Sequence, residues 1–261
     1  ENSMPLLVER SEIRTDSGGP GKQRGGLGML REVRLLDEEA SYSVLSDRAV
    51  IPPYGINGGG SAMPYHVSIT RGTEEIMFDT PGKVTGYPIR ENDIVVMRSA
   101  GGGSYGDPLE RDPVLVCADI EKGYVSQEKA QEQYGVILNA SGELNVKMTS
   151  SCREALRAKR FHIPVRIDNA LEYYTGKKGH RRLLTVATEI AQKLGVADDD
   201  MVEILGENPA PLRAWIRINA LASSDSVPLD DFATKVLGIT ESSVVWIRPL
   251  PTPTVPAGLA S

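Results

Sequence analysis

Residues 9–36, ERSEIRTDSGGPGKQRGGLGMLREVRLL, decide the fold of the first part of the chain: a β-type run, a glycine-rich loop, and a second β-type run. The loop GGPGKQRGGLG at 18–28 lacks side chains where another backbone could approach closely or where φ must turn positive. Further runs of the same kind lie on either side. LLVERSEIRT, REVRLL, YSVLSD, HVSITR, EIMFDT and DIVVMRS carry the alternation and β-branched content of short strands. Two more glycine loops, PPYGINGGG at 52–60 and AGGGSYGDP at 100–108, separate them. The pattern predicts a mainly antiparallel β region with little helix.

The period changes after Asp107-Pro108 and Asp112-Pro113. VLVCADIEKG and SQEKAQEQYG read as two short helices, with proline at a first helical position after Asp112 and glycines at 123 and 135 just past the ends. Asp107 and Asp112 are expected to serve as a turn residue and a helix N-cap. The boundary between two units is placed at Asn139 to Asn145, giving segments 1–140 and 145–250 and a tail, PTPTVPAGLAS, over 251–261. In the second segment SCREALRAKRF and LLTVATEIAQKLG read as helices, followed by strands MVEILGE and APLRAWIRIN, a helix at LDDFATKVLG and a strand at VVWIRPL. GVADDDMVEIL and GITESSVVWIRPL share glycine, aliphatic residue, polar turn and strand, which hints at an internal duplication or a small β-barrel with two helices. The predicted class is α+β: a glycine-rich antiparallel region, short helices, then a smaller α+β extension.

Composition narrows the function classes. A formal net charge of −6 argues against general affinity for nucleic acid, which needs a basic field to displace counterions from phosphate. The segment from Arg153 to Arg182 is the local exception, with nine Lys/Arg against three Asp/Glu, and it suits a subunit interface or a solvated surface. Apolar runs fall short of the roughly 20 residues of a membrane span, and the opening ENSMPLLVER has neither the basic nor the apolar region of a signal peptide. Cys117 and Cys152 show no metal-ligand or disulfide spacing, and a reducing cytoplasm is the expected compartment. His162 and His180 are too far apart for a helix-spaced metal pair.

Each candidate site residue has a structural alternative. Gly18, Gly19, Gly102 and Gly103 could present backbone N–H groups to a phosphate, but the loops match neither GxxxxGK[ST] nor a dinucleotide fingerprint, and tight turns or close packing at a subunit interface explain them better. Lys22 and Arg24 could reach phosphate or a substrate carboxylate, or simply be solvated. Asp16 could be a functional carboxylate or an acceptor for nearby backbone N–H groups. His66 could act as a base near neutral pH, while alternation with Ser68 and Thr70 places it on a polar strand face.

The order ERSEIRTDSGGPGKQRGGLGMLREVRLL, LSDRAVIPPYGINGGG, GGGSYGDPLERDP and VSQEKAQEQYGVIL resembles the closing region of the hydantoinase B and oxoprolinase family over residues 1–139. That family includes B-type subunits of ATP-dependent hydantoinases, the C-terminal half of 5-oxoprolinase and subunits of acetone and acetophenone carboxylases. The resemblance implies a subunit, or C-terminal fragment of one, in an enzyme complex that phosphorylates a carbonyl oxygen. Such a complex hydrolyses a cyclic amide or carboxylates a ketone with bicarbonate. ATP with Mg is expected on a hydantoinase A-type partner subunit. A full family subunit is much longer, the His and Asp residues that bind metal in acetone carboxylase lie in the region before DSGG, and no metal site is carried over to this chain. A non-catalytic scaffold subunit is the alternative.

Overall fold

Hairpin-forming strands with one apolar face build the first part of the chain, as the alternation requires. The computed structural model describes residues 4–169, 173–176 and 179–250, with the backbone alone taken at 173–176, 179 and 180. Strands β1 (Leu6–Arg14), β2 (Gly28–Leu35), β3 (Glu39–Leu45), β4 (His66–Arg71), β5 (Glu74–Ile76), β6 (Lys83–Arg90) and β7 (Ile94–Arg98) come first. They form an antiparallel five-stranded sheet, β1-β2-β7-β4-β5, and a two-stranded ribbon, β3-β6. Leu35, Val67, Ile69, Ile89 and Val95 make the core between sheet and ribbon. Period-2 alternation turns Val67 and Ile69 into that core and leaves His66, Ser68 and Thr70 on the opposite face.

A 3-10 turn at Pro108–Glu110 is capped by Asp107, whose carboxylate accepts from Leu109 N at 2.9 Å. Helix α1 (Pro113–Glu121) begins at Asp112, which accepts from Val114 N, also at 2.9 Å. Helix α2 (Gln127–Tyr134) is capped by Ser126 and ends on Gly135 at φ 63°. The two helices share a core of Val116, Val125, Ala130, Tyr134 and Val136.

The described chain divides into two compact units, one of residues 4–55 and 59–149, the other of residues 56–58 and 150–250, with helix α3 (Val146–Ala158) crossing the division. The second unit contains β8 (Phe161–Ile167), β9 (Tyr173–Gly176), β10 (Gly179–Val186), α4 (Thr188–Leu194), β11 (Met201–Leu205), β12 (Leu212–Ile218), β13 (Val227–Leu229), α5 (Asp231–Leu237) and β14 (Val244–Pro249). Its strands form one sheet in the order β13-β8-β14-β11-β12-β10-β9. Strands β10 and β13 approach each other, so the sheet curls around a core that includes Leu184, Ile190, Ile204, Ile216, Leu229, Leu237 and Ile247.

This unit is built twice. The run β10-α4-β11 recurs as β13-α5-β14 at an offset of 43 positions, as from Gly195 to Gly238. The parallel pair β10/β12 is matched by β13/β8, and the antiparallel pair β11/β12 by β14/β8, while β11 and β14 pair with each other at the centre. Even the turns agree. Asp199 and Ser242 both hold positive φ, 66° and 64°, and donate their N–H groups to Ile216 O at 3.0 Å and Val165 O at 2.9 Å. Asp200 Oδ2 accepts from Ala197 N at 2.8 Å, and Ser243 Oγ from Thr240 N at 3.0 Å. The expected duplication and the expected barrel with two helices therefore describe one object.

The α+β class holds, with mostly antiparallel sheets and few helices. Several local expectations do not. LLTVATEIAQKLG is not one helix: residues through Val186 are strand β10, and only Thr188–Leu194 is helical. Leu184 and Val186 are drawn into the sheet because parallel pairing to Ile216 and Ile218 buries them. Helix α3 starts before SCREALRAKRF and stops short of Phe161, which begins β8. Of EIMFDT, residues 75–80, only Glu75 and Ile76 are strand, in β5. Strands β6, β8, β9 and β13 were not expected from the sequence, and β6, β8 and β13 each contain a proline. Proline is tolerated where no ladder N–H is required: Pro88 lies in a two-stranded ribbon, and Pro164 lies one residue before the β8/β13 pairing begins. The side chains of Tyr173, Tyr174 and His180 and the tail 251–261 lie outside the described residues. Among the described residues no helix is long and apolar enough to cross a membrane.

Candidate functional site

The three glycine loops converge in the first unit and interlock by backbone contact. Gly19 N–H donates to Gly102 O, Gly102 N–H to Gly26 O, Gly25 N–H to Gly19 O and Gly60 N–H to Pro20 O, all at 2.6–2.9 Å. The fit depends on hydrogen atoms where other residues carry Cβ. A Cβ on Gly103 would lie 1.7 Å from Tyr54 O, and one on Gly25 would lie 1.9 Å from Gly102 O. Two buried serines close the knot. Ser104 Oγ donates to Pro20 O at 2.6 Å and lies 3.0 Å from Gly60 O, and Ser17 Oγ accepts from Gly28 N at 2.8 Å. Neither serine was singled out in the sequence. Their signal was position only: each stands next to a glycine run.

Gly18 and Gly19 thus pack against Gly25 and Gly60, and Gly102 and Gly103 against Gly26 and Tyr54. Lys22 pairs with Glu110 at 3.3 Å, both half-exposed. Arg24 is bound to Asp119 at 3.1 Å and lies over the Tyr124 ring at 5.4 Å. Asp119, only 6% exposed, also receives Arg111 at 2.9 Å, so α1 is tied to the loop by one carboxylate shared between two guanidiniums. The Tyr134 hydroxyl lies in this same environment, beside Gly21, and burial pushes its pKa up to about 12. Asp16 adopts φ 61°, donates its own N–H to Tyr124 O at 3.0 Å and accepts from Ser126 N at 2.8 Å. It holds the start of α2 by the backbone bonding that its place before a turn suggested.

His66 has a different setting. It sits half-buried on the polar face of the five-stranded sheet, directly across from Arg98 on β7, whose NH1 lies 3.3 Å from its Nδ1. Arg98 NH1 also lies 3.4 Å from Ser68 Oγ and 3.7 Å from Glu75 Oε1, and the Ser68 hydroxyl donates to Glu75 at 2.7 Å. Arg14, at the end of β1, reaches across to Pro64 O at 2.7 Å and Ser99 O at 3.1 Å. Burial, then the field of Arg98, lowers the His66 pKa from its ordinary value. The structure joins His66 to none of Asp16, Lys22 and Arg24 by a hydrogen bond or ion pair. Among the described residues no group of three or more His, Cys, Asp or Glu side chains is arranged to hold a metal ion.

The family model described as hydantoinase B/oxoprolinase matches residues 1–108, the stretch that contains all three glycine loops and both ends of the His66–Arg98 pair. Over residues 1–108 the chain is similar to the hydantoinase B/oxoprolinase family. A Pseudomonas sp. protein described as the B-type subunit of a D-/L-hydantoinase is 33% identical over 59% of this chain and 26% of its own length. The crystal structure of the ATP-dependent caprolactamase from Pseudomonas jessenii matches at 31% identity with a TM-score of 0.53, covering 59% of this chain and 27% of that one. The acetone carboxylase alpha subunit of Xanthobacter autotrophicus is 26% identical over 61% of this chain and 25% of its own length. The chain spans about a quarter of the length of these relatives. Within the segment similar to hydantoinase B, the glycine loops pack against one another, and the His66 cluster sets Arg14 and Arg98 on one sheet face with Glu75 as the carboxylate within ion-pair distance among the described residues.

Proposed function

We propose that this chain is a B-type subunit, or the C-terminal portion of one, in a cytoplasmic ATP-dependent enzyme complex that activates a carbonyl oxygen by phosphorylation. The family match over residues 1–108 carries this reading, supported by relatives named as a hydantoinase subunit, an ATP-dependent caprolactamase and an acetone carboxylase subunit. The chemistry common to those names is a poorly reactive carbonyl. Transfer of the γ-phosphoryl group of ATP to an amide oxygen releases ADP and leaves a carbon that water attacks. The C–N bond of that adduct cleaves, opening the ring to an amine and an acyl phosphate, and a second water releases phosphate and leaves the carboxylate. On a ketone, phosphorylation of the enolate oxygen and activation of bicarbonate as a phosphate ester prepare C–C bond formation. ATP and Mg belong on a hydantoinase A-type partner in this scheme. Lys22, whose ion pair with Glu110 is solvent-exposed, is the basic side chain of the glycine loops open to an incoming phosphate.

The test is ATP turnover by the chain assembled with an A-type partner, in the presence of 5-oxoproline, hydantoin, caprolactam, acetone or acetophenone, with and without bicarbonate. Stimulation by a cyclic amide alone identifies a hydrolase, and stimulation by a ketone only with bicarbonate identifies a carboxylase. ATP turnover that none of these compounds changes would sink both. The scaffold reading draws on the internal saturation of the knot, where Arg24 and the Gly19 and Gly102 N–H groups are spent on neighbours. It predicts that a complex lacking this chain keeps its turnover but loses its assembly.

A further inference from the structure

We propose that Arg14, Arg98 and His66 form a binding site for a small oxyanion, a phosphate or carboxylate group, on the polar face of the five-stranded sheet. The charge pattern of that face singles them out. Alternation along β1, β2, β7 and β4 places Arg10, Glu12, Arg14, Glu32, Arg98, His66 and Ser68 on one side. Arg10 is neutralised by Glu12 and Glu32, and Arg34, further along β2, by Glu9. Arg14 has no carboxylate within ion-pair distance among the described residues, and Arg98 has only Glu75, at 3.7 Å, which is itself half-exposed and engaged by Ser68.

Each guanidinium retains donors. Arg14 uses NH1 for the Pro64 and Ser99 carbonyls, and Arg98 uses NH1 for His66 and Ser68. Those bonds fix both side chains, leaving Nε and NH2 of each without a hydrogen-bond partner among the described residues. Guanidinium donors held in place suit a planar or tetrahedral oxyanion, because the fork matches two oxygens at once. The two cations are close enough that Arg98, after burial, lowers the Arg14 pKa from its ordinary value. An anion placed between them relieves that repulsion, and the imidazole of His66 supplies a further polar contact. Glu75 opposes the anion, so the site is built for a ligand that competes with this carboxylate. The inference does not depend on the proposed activity.

Histidine-labelled NMR of the 261-residue chain tests it, with inorganic phosphate, bicarbonate and acetate titrated separately at constant ionic strength. A saturable shift of the His66 resonances, absent from His162, is the expected result. Phosphate alone saturating assigns a phosphoryl group, and the carboxyl-type anions alone saturating assign a carboxylate. Arg98→Ala is expected to weaken binding about tenfold or more. Glu75→Gln, which keeps an acceptor for Ser68, is expected to tighten it roughly threefold, because a like charge near the anion is removed. A misfolded variant does not gain affinity, so this arm separates binding from damage. Equal small shifts at His66 and His162, or weaker binding in Glu75→Gln, would overturn the proposal.

Discussion

The two units differ in what accompanies their hydrophobic cores. The first has small cores on its sheet and helices and adds to them glycine loops in which backbone lies against backbone, closed by buried serines. The second relies on a continuous aliphatic core inside a twice-built sheet, with Ile204, Ile216 and Ile247 essentially inaccessible. Each such side chain contributes about 1.5–3 kcal/mol by leaving water. The difference shows which substitutions each unit can absorb. An aliphatic core repacks around a change of volume, whereas a backbone contact at van der Waals distance has nothing to move except the chain itself.

Gly103→Ala breaks the first unit most directly. Its Cβ would overlap Tyr54 O, and a loss of about 4 kcal/mol or more is expected by urea unfolding followed at an aromatic signal. Gly26→Ala is the control, since nothing lies within 4 Å of the added Cβ, and it should change stability by less than about 1 kcal/mol. If both variants unfolded alike, the loops would be sensitive to composition and not to contact.

In the second unit the corresponding weak point is electrostatic. Glu203 on β11 is fully buried and binds Arg213 at 2.9 Å and Arg248 at 2.8 Å through separate oxygens. Its counterpart in the duplicated strand is Trp246, so the second copy has no equivalent charge at that position. Glu203→Ala leaves two largely covered guanidiniums without their carboxylate and should cost about 3 kcal/mol in the same experiment. A Glu203→Ala chain as stable as the parent would show that the two arginines find water instead.

Asp93 tests the β6/β7 connection of the first unit. Hydrogen bonds from Arg71, then from Arg90 N, hold its carboxyl below the usual carboxylate range against the opposing effect of burial. A depressed folded pKa contributes stability that is full above the unfolded value, about 3.9, and is lost as pH falls through the folded value. Asp93→Asn should therefore cost about 1–2 kcal/mol near neutrality and flatten the acid limb of the stability profile. An unchanged acid limb would mean that other carboxylates dominate it.

The smallest effects compare the two copies. Gly195 and Gly238 end α4 and α5 at φ 66° and 69°. Gly195→Ala meets open space and should cost about 1 kcal/mol from backbone conformation alone. Gly238→Ala adds a contact 2.8 Å from the Asn208 side chain and should cost more by a few tenths of a kcal/mol, measurable by thermal melts. Equal costs would mean that Asn208 swings away freely.

Sequence alone was enough for the features that depend on neighbours along the chain. The β-type alternation from HVSITR to DIVVMRS, the Asp112 N-cap and the motif order that marks the hydantoinase B family are all local, and local rules read them. Only the tertiary structure could decide the rest. That Gly25 needs no side chain because Gly102 passes over it, and that LLTV is strand because Ile216 and Ile218 lie beside it, follows from residues distant in the chain. Arg14 and Arg98 likewise look like ordinary surface cations until the sheet register sets them beside His66 with too few carboxylates to neutralise them. Charge balance is a property of distance in space, and the sequence carries only the order.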